Sequence, residues 1–565
     1  MNRHLKIPYG LSNFKTVISE GYTYVDKTAY IAKLEQAGKY QILLRPRRFG
    51  KSLFISMLEY YYSMDHRDEF DSIFDNLAIS KQLTDYKSSY EILFMEFSGI
   101  ETASYEALYA GFNVTVQTYL QKFLRRYQYP QITLDELNNY ATPADKLKYV
   151  LSLVSDQGLY LLIDEYDHFA NAVLADDQSL FLSIMGKGGF VRSFYEVIKS
   201  ATHRGSINRI FITGVTALML DSLTSGFNIA QNLSFDKNFN EAMGFTHHET
   251  LNLLQPLIEN CQLEPSKLMS DVTNWYNGYR FHPQSKEAIF NSDMVLYFIQ
   301  EFDKEHCTYP RRMLDDNIAS DYGKIMALFN IGDREANYQV LDELINEGQV
   351  PAQYRRKFDL EKGFDRDDFI SLLAYMGFVT LQGETLTGEL FGMPNQVIRE
   401  LYFQYFKVEL ERRNQIKISS RDLELAIQAL GLQGELQLLA TEMQKALQLL
   451  SNRDSMKMDE QHLKTLLLTL LYQFPVYFIQ SEREMNRKYP DIMLLERSPY
   501  KVKFQHLIEL KYAKKGEGEK GWKAKQQEGI EQVQGYLLLP EIMRLKHLKA
   551  WVVVSDGEQL ACISV

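Results

Sequence analysis

From residue 39 the chain alternates short apolar runs with longer stretches whose apolar residues recur every three or four positions. YQILL (40–44), YEILFMEF (90–97), LYLLIDE (159–165) and RIFITGV (209–215) are each of strand length, and periodic stretches such as 51–64 and 105–126 separate them. Runs that are apolar throughout belong to strands covered on both faces, and strands that alternate with helices pair in parallel. The pattern predicts an α/β domain over 1–250. Strand-like runs are rare across 251–455, where periods of three and four dominate, as in VIRELYFQYFKVELER (397–412), so a helical middle region is expected. Over 456–565 a helix leads into VYFIQ (476–480), IMLLE (492–496), FQHLIELKY (504–512), a helix across 521–538 and LKAWVVVS (548–555), which predicts a second α/β domain.

Composition narrows this picture without changing it. At 565 residues, with 45% apolar and 24% charged positions and 36 Tyr and 33 Phe, the chain is expected to fold as several globular domains. The net charge of -11 does not advertise a nucleic-acid binder, yet residues 501–550 hold 11 Lys and Arg against 6 Glu, a local basic excess. Such a run is also what a solvated lysine face produces. The N-terminus lacks the apolar core of a secretory signal, and the greasiest stretch, 463–480, is broken by Lys464, Gln473 and Pro475. A poor membrane span follows, read instead as a core helix leading into a strand, and a cytoplasmic protein is expected.

Residues 44–52, LRPRRFGKS, end like the phosphate-binding string G-x-x-x-x-G-K-[ST], with Arg45 where the first glycine belongs. The loop works by turning backbone N–H groups onto phosphate oxygens at the positive end of a helix, so its place between a strand and a helix matters more than the string. Here YQILL precedes it and SLFISMLEYYY follows. Gly50 allows close approach, Lys51 can reach the β- and γ-phosphates, and Ser52 can ligate Mg²⁺. LYLLIDEYD places Asp164 at a strand end where that Mg²⁺ would sit, with Glu165 next to it to polarise a water. A third strand ends in Thr213, Gly214 and Thr216, and the two threonine hydroxyls can sense a γ-phosphate or cap the next helix.

Near the C-terminus, Asp491 and the string Glu509-Leu510-Lys511 lie on successive strands. The period of two puts Glu509 and Lys511 on one face, and a return through RSPYK can bring Asp491 alongside. Two carboxylates at one point bind Mg²⁺ or Mn²⁺, and a neighbouring lysine orients water and steadies phosphate charge. A solvated strand face gives the same string. His247 and His248 are adjacent and have no third ligand at metal spacing, and Trp275, Tyr276 and Tyr279 read as core aromatics rather than a stacking platform.

The N-terminal motifs together resemble the AAA-ATPase-like proteins of bacteria and archaea, in which arginines stand where the P-loop glycine is usual. IPYGLSNF (7–14), YTYVDKT (22–28), LRPRRFGKSL, FMEFSG (94–99), LIDEYD (162–167), FITGVT (211–216) and NWYNGYRF (274–281) carry the likeness. It departs at IFNSDMVLYF (289–298), where relatives carry a Pro-Trp pair. The resemblance implies ATP and Mg²⁺, with the loop Arg45, Pro46, Arg47, Arg48, Phe49, Gly50, Lys51, Ser52 and Leu53, together with Asp164 and Thr213, around the nucleotide and Glu165 as catalytic carboxylate.

The C-terminal segment resembles PD-(D/E)xK nucleases of the form fused to such ATPases, which implies a restriction-endonuclease-like α/β fold. Glu484 in SEREMNRKYPDI takes the acidic position, and Gln532 and Tyr536 in GIEQVQGY take the helix positions. Lys488 and Tyr489 replace a usual Gly-Arg pair. The expectation is a multidomain α/β protein: a P-loop ATPase, a helical lid or coupling region, and a metal-dependent nuclease acting on nucleic acid, DNA favoured over RNA. No membrane partner is expected, and a homo-oligomer is compatible with this reading. Two rivals stay open: a module whose nuclease domain is inactive and only binds, and a P-loop that is a structural relic.

Overall fold

A computed structural model describes the chain apart from residues 1–5, 155–157, 220–228, 317–318, 320–327, 359–362, 416, 452–458, 482–489 and 515–516. It divides into two compact units, one of residues 1–301 and 314–396, the other of 302–313 and 397–565. The residues between 251 and 455 are thus shared between the two.

The first unit is built on five parallel strands, β1 (Tyr40–Leu44), β2 (Glu91–Glu96), β3 (Leu159–Asp164), β4 (Ile207–Gly214) and β5 (Gln231–Asn232), in the order β2-β3-β4-β1-β5. The four apolar runs of the sequence are its first four strands. β5 is two residues long and half-exposed, too short to show as a run. Every residue of β3 is buried, as a strand with helices on both faces requires. On one side lies the helix Lys51–Tyr62, with Phe54 against Phe211 at 5.8 Å. Another cluster stacks Phe97 on Phe112 at 5.1 Å, with Phe194 edge-on to both.

Because β4 sits between β1 and β3, the carboxyl ends of three strands meet in a row. In open α/β sheets that edge is where ligands are received. The same unit also holds an antiparallel sheet β6-β8-β7, made of β6 (Gln349–Ala352), β7 (Thr380–Glu384) and β8 (Glu389–Gly392).

The second unit carries β9 (Tyr477–Ser481), β10 (Ile492–Glu496), β11 (Gln505–Tyr512), β12 (Leu548–Ser555) and β13 (Leu560–Ser564) in the order β13-β12-β11-β10-β9. Only β11 and β12 pair in parallel. The helix Gly518–Leu537 joins them and buries Val533 and Tyr536 against Leu507 and Val552. The greasy stretch at 463–480 is the end of the buried helix Glu460–Leu471 followed by β9. β13 is half-buried along most of its length and escaped the apolar pattern. Among the described residues, no helix is long and apolar enough to cross a membrane.

Candidate functional site

The loop between β1 and the helix Lys51–Tyr62 is held from several directions. Gly50 takes the left-handed conformation (φ 82°) at the helix start, and Arg48 takes it too (φ 68°), which a side chain adopts at a cost. Phe49 is buried and edge-on to Tyr279 and Phe281 at 5.0 and 5.6 Å. Its carbonyl accepts from Gly244 N at 3.2 Å. The NGY segment is therefore packing for the loop: Trp275, Tyr276 and Tyr279 are all in the core.

IFNSDMVLYF, where the likeness to relatives breaks, supplies the other clamps. Asn291 Nδ2 donates to the Arg47 carbonyl at 3.2 Å, and Ser292 Oγ to the Arg48 carbonyl at 3.1 Å. Asp293 pairs with the Arg48 guanidinium at 3.4 Å. None of these three residues was singled out from the sequence, because the contacts span more than 240 positions.

The arginines have separate places. Arg45, 1% exposed, donates to the carbonyls of Leu44, Ser234 and Phe239 at 2.8, 3.1 and 2.6 Å, and its guanidinium stacks 3.9 Å from the Phe281 ring centre. Burial lowers it to about 9. The sequence reading set Arg45 against the nucleotide; its guanidinium instead points into the protein and lies off the cavity wall. Pro46 is also buried off the wall, against Gly377, and its carbonyl accepts from Lys51 Nζ at 3.0 Å. Arg47, Arg48, Phe49, Gly50, Lys51, Ser52 and Leu53 all line one cavity of about 420 Å³.

One residue before Glu165, which lines that cavity, β3 ends in Asp164, 2% exposed, which accepts the Glu165 N–H at 2.9 Å and lies near the Ser52 hydroxyl. Burial pushes its carboxyl up to about 6, against the pull of Ser52 and the Lys51 charge. Burial also lowers the Lys51 ammonium; Glu165, Asp164 and Asp167 oppose this, and the Arg47 charge adds to it. Glu165, at φ 47°, is turned onto the cavity wall.

Thr213 is fully buried and donates to the Leu43 carbonyl at 2.9 Å, so its hydroxyl ties β4 to β1 and does not reach the cavity. Thr216 donates to Asp167 at 2.9 Å, and Asp167 also accepts the N–H groups of Val215 and Thr216. Asp167 thereby locks the end of β4 to the turn after β3. The rest of the wall includes Pro8, Gly10, Leu11, Tyr24 and Lys27, from the two N-terminal motifs whose pattern alone carries no role, and His168.

In the second unit the antiparallel register pairs Ile492 with Ile508, which carries Asp491 opposite Glu509. Asp491 accepts the Leu510 N–H at 2.8 Å, and Lys511 Nζ lies 2.9 Å from Glu509 Oε1. Burial, then Asp491, pushes Glu509 up to about 7, while Lys511 opposes. Glu509 Oε2 is buried without a hydrogen-bond partner. Asp491 is raised by burial against the Leu510 N–H and the charges of Lys511 and Lys464.

Asp491, Glu509 and Lys511 are thus brought together; Glu484 lies outside the described residues. Gln532 is exposed, on the helix that carries Gly529 against Lys511 and Tyr536 near Glu509. Tyr536 is raised to about 12 by burial and by the two carboxylates. Sequence reasoning missed Glu460, at the first turn of the helix Glu460–Leu471, whose carboxylate reaches Lys511 at 3.3 Å. Among the described residues no group of three or more His, Cys, Asp or Glu side chains is gathered where a metal ion could be held.

An α/β domain of P-loop architecture and a mixed-sheet α/β domain with an Asp…Glu-x-Lys face define the class of this protein. Residues 8–224 match the AAA-ATPase-like family, described as a predicted AAA-ATPase, and residues 458–564 match the PD-(D/E)XK nuclease superfamily. The chain therefore joins an AAA-ATPase-like domain to a domain of the PD-(D/E)XK nuclease superfamily.

It is also 26% identical over 296 residues to an uncharacterized protein encoded in the vnfD 5′ region of Azotobacter chroococcum mcd 1, a match covering 52% of each chain. The chain spans about half the length of that relative. Among solved structures, the Walker-type ATPase PABY2304 of Pyrococcus abyssi aligns with a TM-score of 0.38 at 11% identity, over 66% of this chain and 94% of that one.

Proposed function

We propose that the first unit binds and hydrolyses ATP with Mg²⁺, and that the second cleaves nucleic-acid phosphodiesters, DNA rather than RNA, with Mg²⁺ or Mn²⁺. The observation that carries the first half is the convergence of Lys51, Ser52 and Glu165 at one cavity, with Asp164 at the strand end directly before Glu165. Lys51 rests on the Pro46 carbonyl, a weak partner that a phosphate oxygen replaces with a charged one. Ser52 and the neighbouring Asp164 would hold Mg²⁺, which would offset charge on the β- and γ-phosphates. Glu165 accepts a proton from the attacking water as its oxygen bonds the γ-phosphorus and the bond to ADP breaks, giving ADP and inorganic phosphate. Titrating ATP into the full chain and into Lys51→Ala tests this: binding that Lys51→Ala loses supports the reading, and its absence from the wild type means the loop is a relic.

For the second unit, the unpartnered Glu509 Oε2 and the Asp491 carboxylate fit a hard divalent cation, which supplies Lewis acidity and a more acidic water. Lys511 steadies charge on the phosphate. The basic run 501–550 suits a nucleic-acid backbone. Incubation of purified protein with labelled DNA and RNA, with and without Mg²⁺, Mn²⁺ and ATP, tests cleavage; loss in Asp491→Ala or Lys511→Ala assigns it to this site.

A second reading has its own observation. Lys511 is consumed by Glu509 and Glu460 within the fold, as a domain that only holds nucleic acid would allow. Binding without cleavage by any metal would favour it. The fusion of two phosphate-chemistry domains motivates a further step, in which ATP binding controls cleavage; unchanged nuclease turnover in Lys51→Ala, with and without ATP, would refute that coupling.

A further inference from the structure

We propose that residues 302–313 tie the nucleotide cavity to the Asp…Glu-x-Lys face, so that occupancy of either site changes the affinity of the other. The inference rests on the ATP and nucleic-acid readings above and goes beyond them by assigning the residues that join the two. The chain leaves the first unit after Glu301, spends 302–313 in the second and returns to the first at Leu314. Both flanks of this excursion are fastened to the cavity wall. The helix Ser292–Glu301 begins with Ser292 and Asp293, which hold the Arg48 carbonyl and guanidinium, and Ser292, Asp293 and Leu296 line the cavity. After the return, Asp315 accepts the hydroxyl of Tyr9, whose neighbours Pro8 and Gly10 also line it.

Within the second unit, 302–313 is braced by its own pairing and bonded to the turn that connects β10 and β11. Asp303 and Thr308 exchange two backbone hydrogen bonds, at 2.9 and 3.1 Å, and Phe302 packs on Tyr309 at 6.2 Å. The Arg311 carbonyl accepts Arg497 Nη2 at 3.2 Å and the Tyr500 hydroxyl at 3.1 Å. Arg497 directly follows β10, and Asp491 directly precedes it. Beyond Tyr500 the chain enters β11, which carries Glu509 and Lys511. β10 is paired along both edges, so a displacement of its Arg497 end is carried along the strand rather than absorbed.

A nucleotide that draws on Arg48, Ser292 or Asp293 alters how the helix Ser292–Glu301 is held, and the residues that follow this helix are those bonded to the turn. A flexible linker would absorb that change. A backbone fastened on both flanks passes it on as a shift between discrete arrangements. Linkage of this kind is reciprocal: ATP changes nucleic-acid affinity by the same factor as nucleic acid changes ATP affinity.

The test uses the purified full chain with Mg²⁺, a non-hydrolysable ATP analogue and a labelled phosphorothioate DNA duplex, which resists cleavage. The Kd of each ligand is measured with and without the other. In the wild type the two ratios should agree at about fivefold or more, the lower end of ordinary coupling between sites. Tyr500→Phe removes one donor to Arg311 and should lower both ratios. Adding Arg497→Lys, which also removes the guanidinium fork, should bring them to within about twofold of unity while each ligand alone binds within about twofold of wild type. Retained binding shows that a variant folds, and the change at half-buried Tyr500 carries the test by itself if the double variant does not fold. Tyr477→Phe removes a hydrogen bond to the Phe504 carbonyl in the same unit and should keep the wild-type ratios.

Two ligands that bind the wild type independently of each other would overturn the proposal and leave both site readings standing. Ratios unchanged by Tyr500→Phe and by the double variant would do the same, as would ratios lost equally in Tyr477→Phe, which marks a general loosening. A wild type that fails to bind the analogue or the duplex would overturn the corresponding site reading and the proposal with it.

Discussion

The two candidate sites use the same ingredients, carboxylates at strand ends and a buried lysine, and arrange them in opposite ways. At the P-loop, Lys51 rests on a backbone carbonyl and faces a cavity shared with Arg47 and Arg48. At the Asp…Glu-x-Lys face, Lys511 is already neutralised by Glu509 and Glu460, and Asp491 has spent one oxygen on Leu510 N. The first arrangement gives Lys51 a neutral hydrogen-bond partner, which an anionic ligand can replace. The second is balanced internally, so that what it lacks is a partner for Glu509 Oε2, an oxygen that only a donor or a cation can satisfy.

Breaking the internal balance should have the largest effect on stability. Lys511→Met leaves Glu509 buried without its cation, a change that costs about 3–5 kcal/mol where the carboxylate is charged. The loss should be full above pH 8 and smaller near pH 6, where Glu509, already pushed to about 7, takes up a proton. Hydrogen exchange along β10, β11 and β12 reads it; equal protection in the variant at pH 8 would mean that the pair is not what holds the face. Lys51→Ala should leave stability nearly untouched yet reduce ATP turnover by about 10²–10³-fold, the usual loss for one pre-placed donor.

A smaller and shared effect is the pH slope. Asp164 and Glu509 are both raised, from 3.8 to about 6 and from 4.5 to about 7. The folded form therefore binds more protons than the unfolded one across that window, and stability falls as pH rises from about 4 to 7, by at most ~1.4 kcal/mol per unit for each group. Denaturation at several pH values should show the decline, with a shallower slope in Glu509→Gln. The smallest change is Glu460→Gln. Its carboxylate is 43% exposed, so its pair with Lys511 should be worth less than about 1 kcal/mol. A loss several times larger would show that Glu460 belongs to the chemistry of the face.

How far these sites were legible in the sequence follows from the range of the contacts involved. Strands β1 to β4 and β9 to β12 are runs of local pattern, and the carboxylates at 164, 165 and 509 follow from strand period and strand end alone. Short or half-buried strands such as β5 and β13 have no such pattern. Side-chain direction was hidden as well. Arg45 and Thr213 occupy motif positions but turn into the protein, where carbonyls of Phe239 and Leu43 take their donors. Asn291, Ser292 and Asp293 hold the P-loop from residues far along the chain, where the sequence showed only a departure from its relatives. Glu460 likewise reaches Lys511 from a helix 51 positions earlier.

The central claim is that the cavity over Gly50, Lys51 and Ser52 receives a nucleotide. Equilibrium titration of the full chain with ATP and Mg²⁺, beside Lys51→Ala, tests it most directly. Saturable binding by the wild type, lost or greatly weakened in Lys51→Ala, is the predicted result. No binding by the wild type at millimolar ATP, or equal binding by both, would contradict the account.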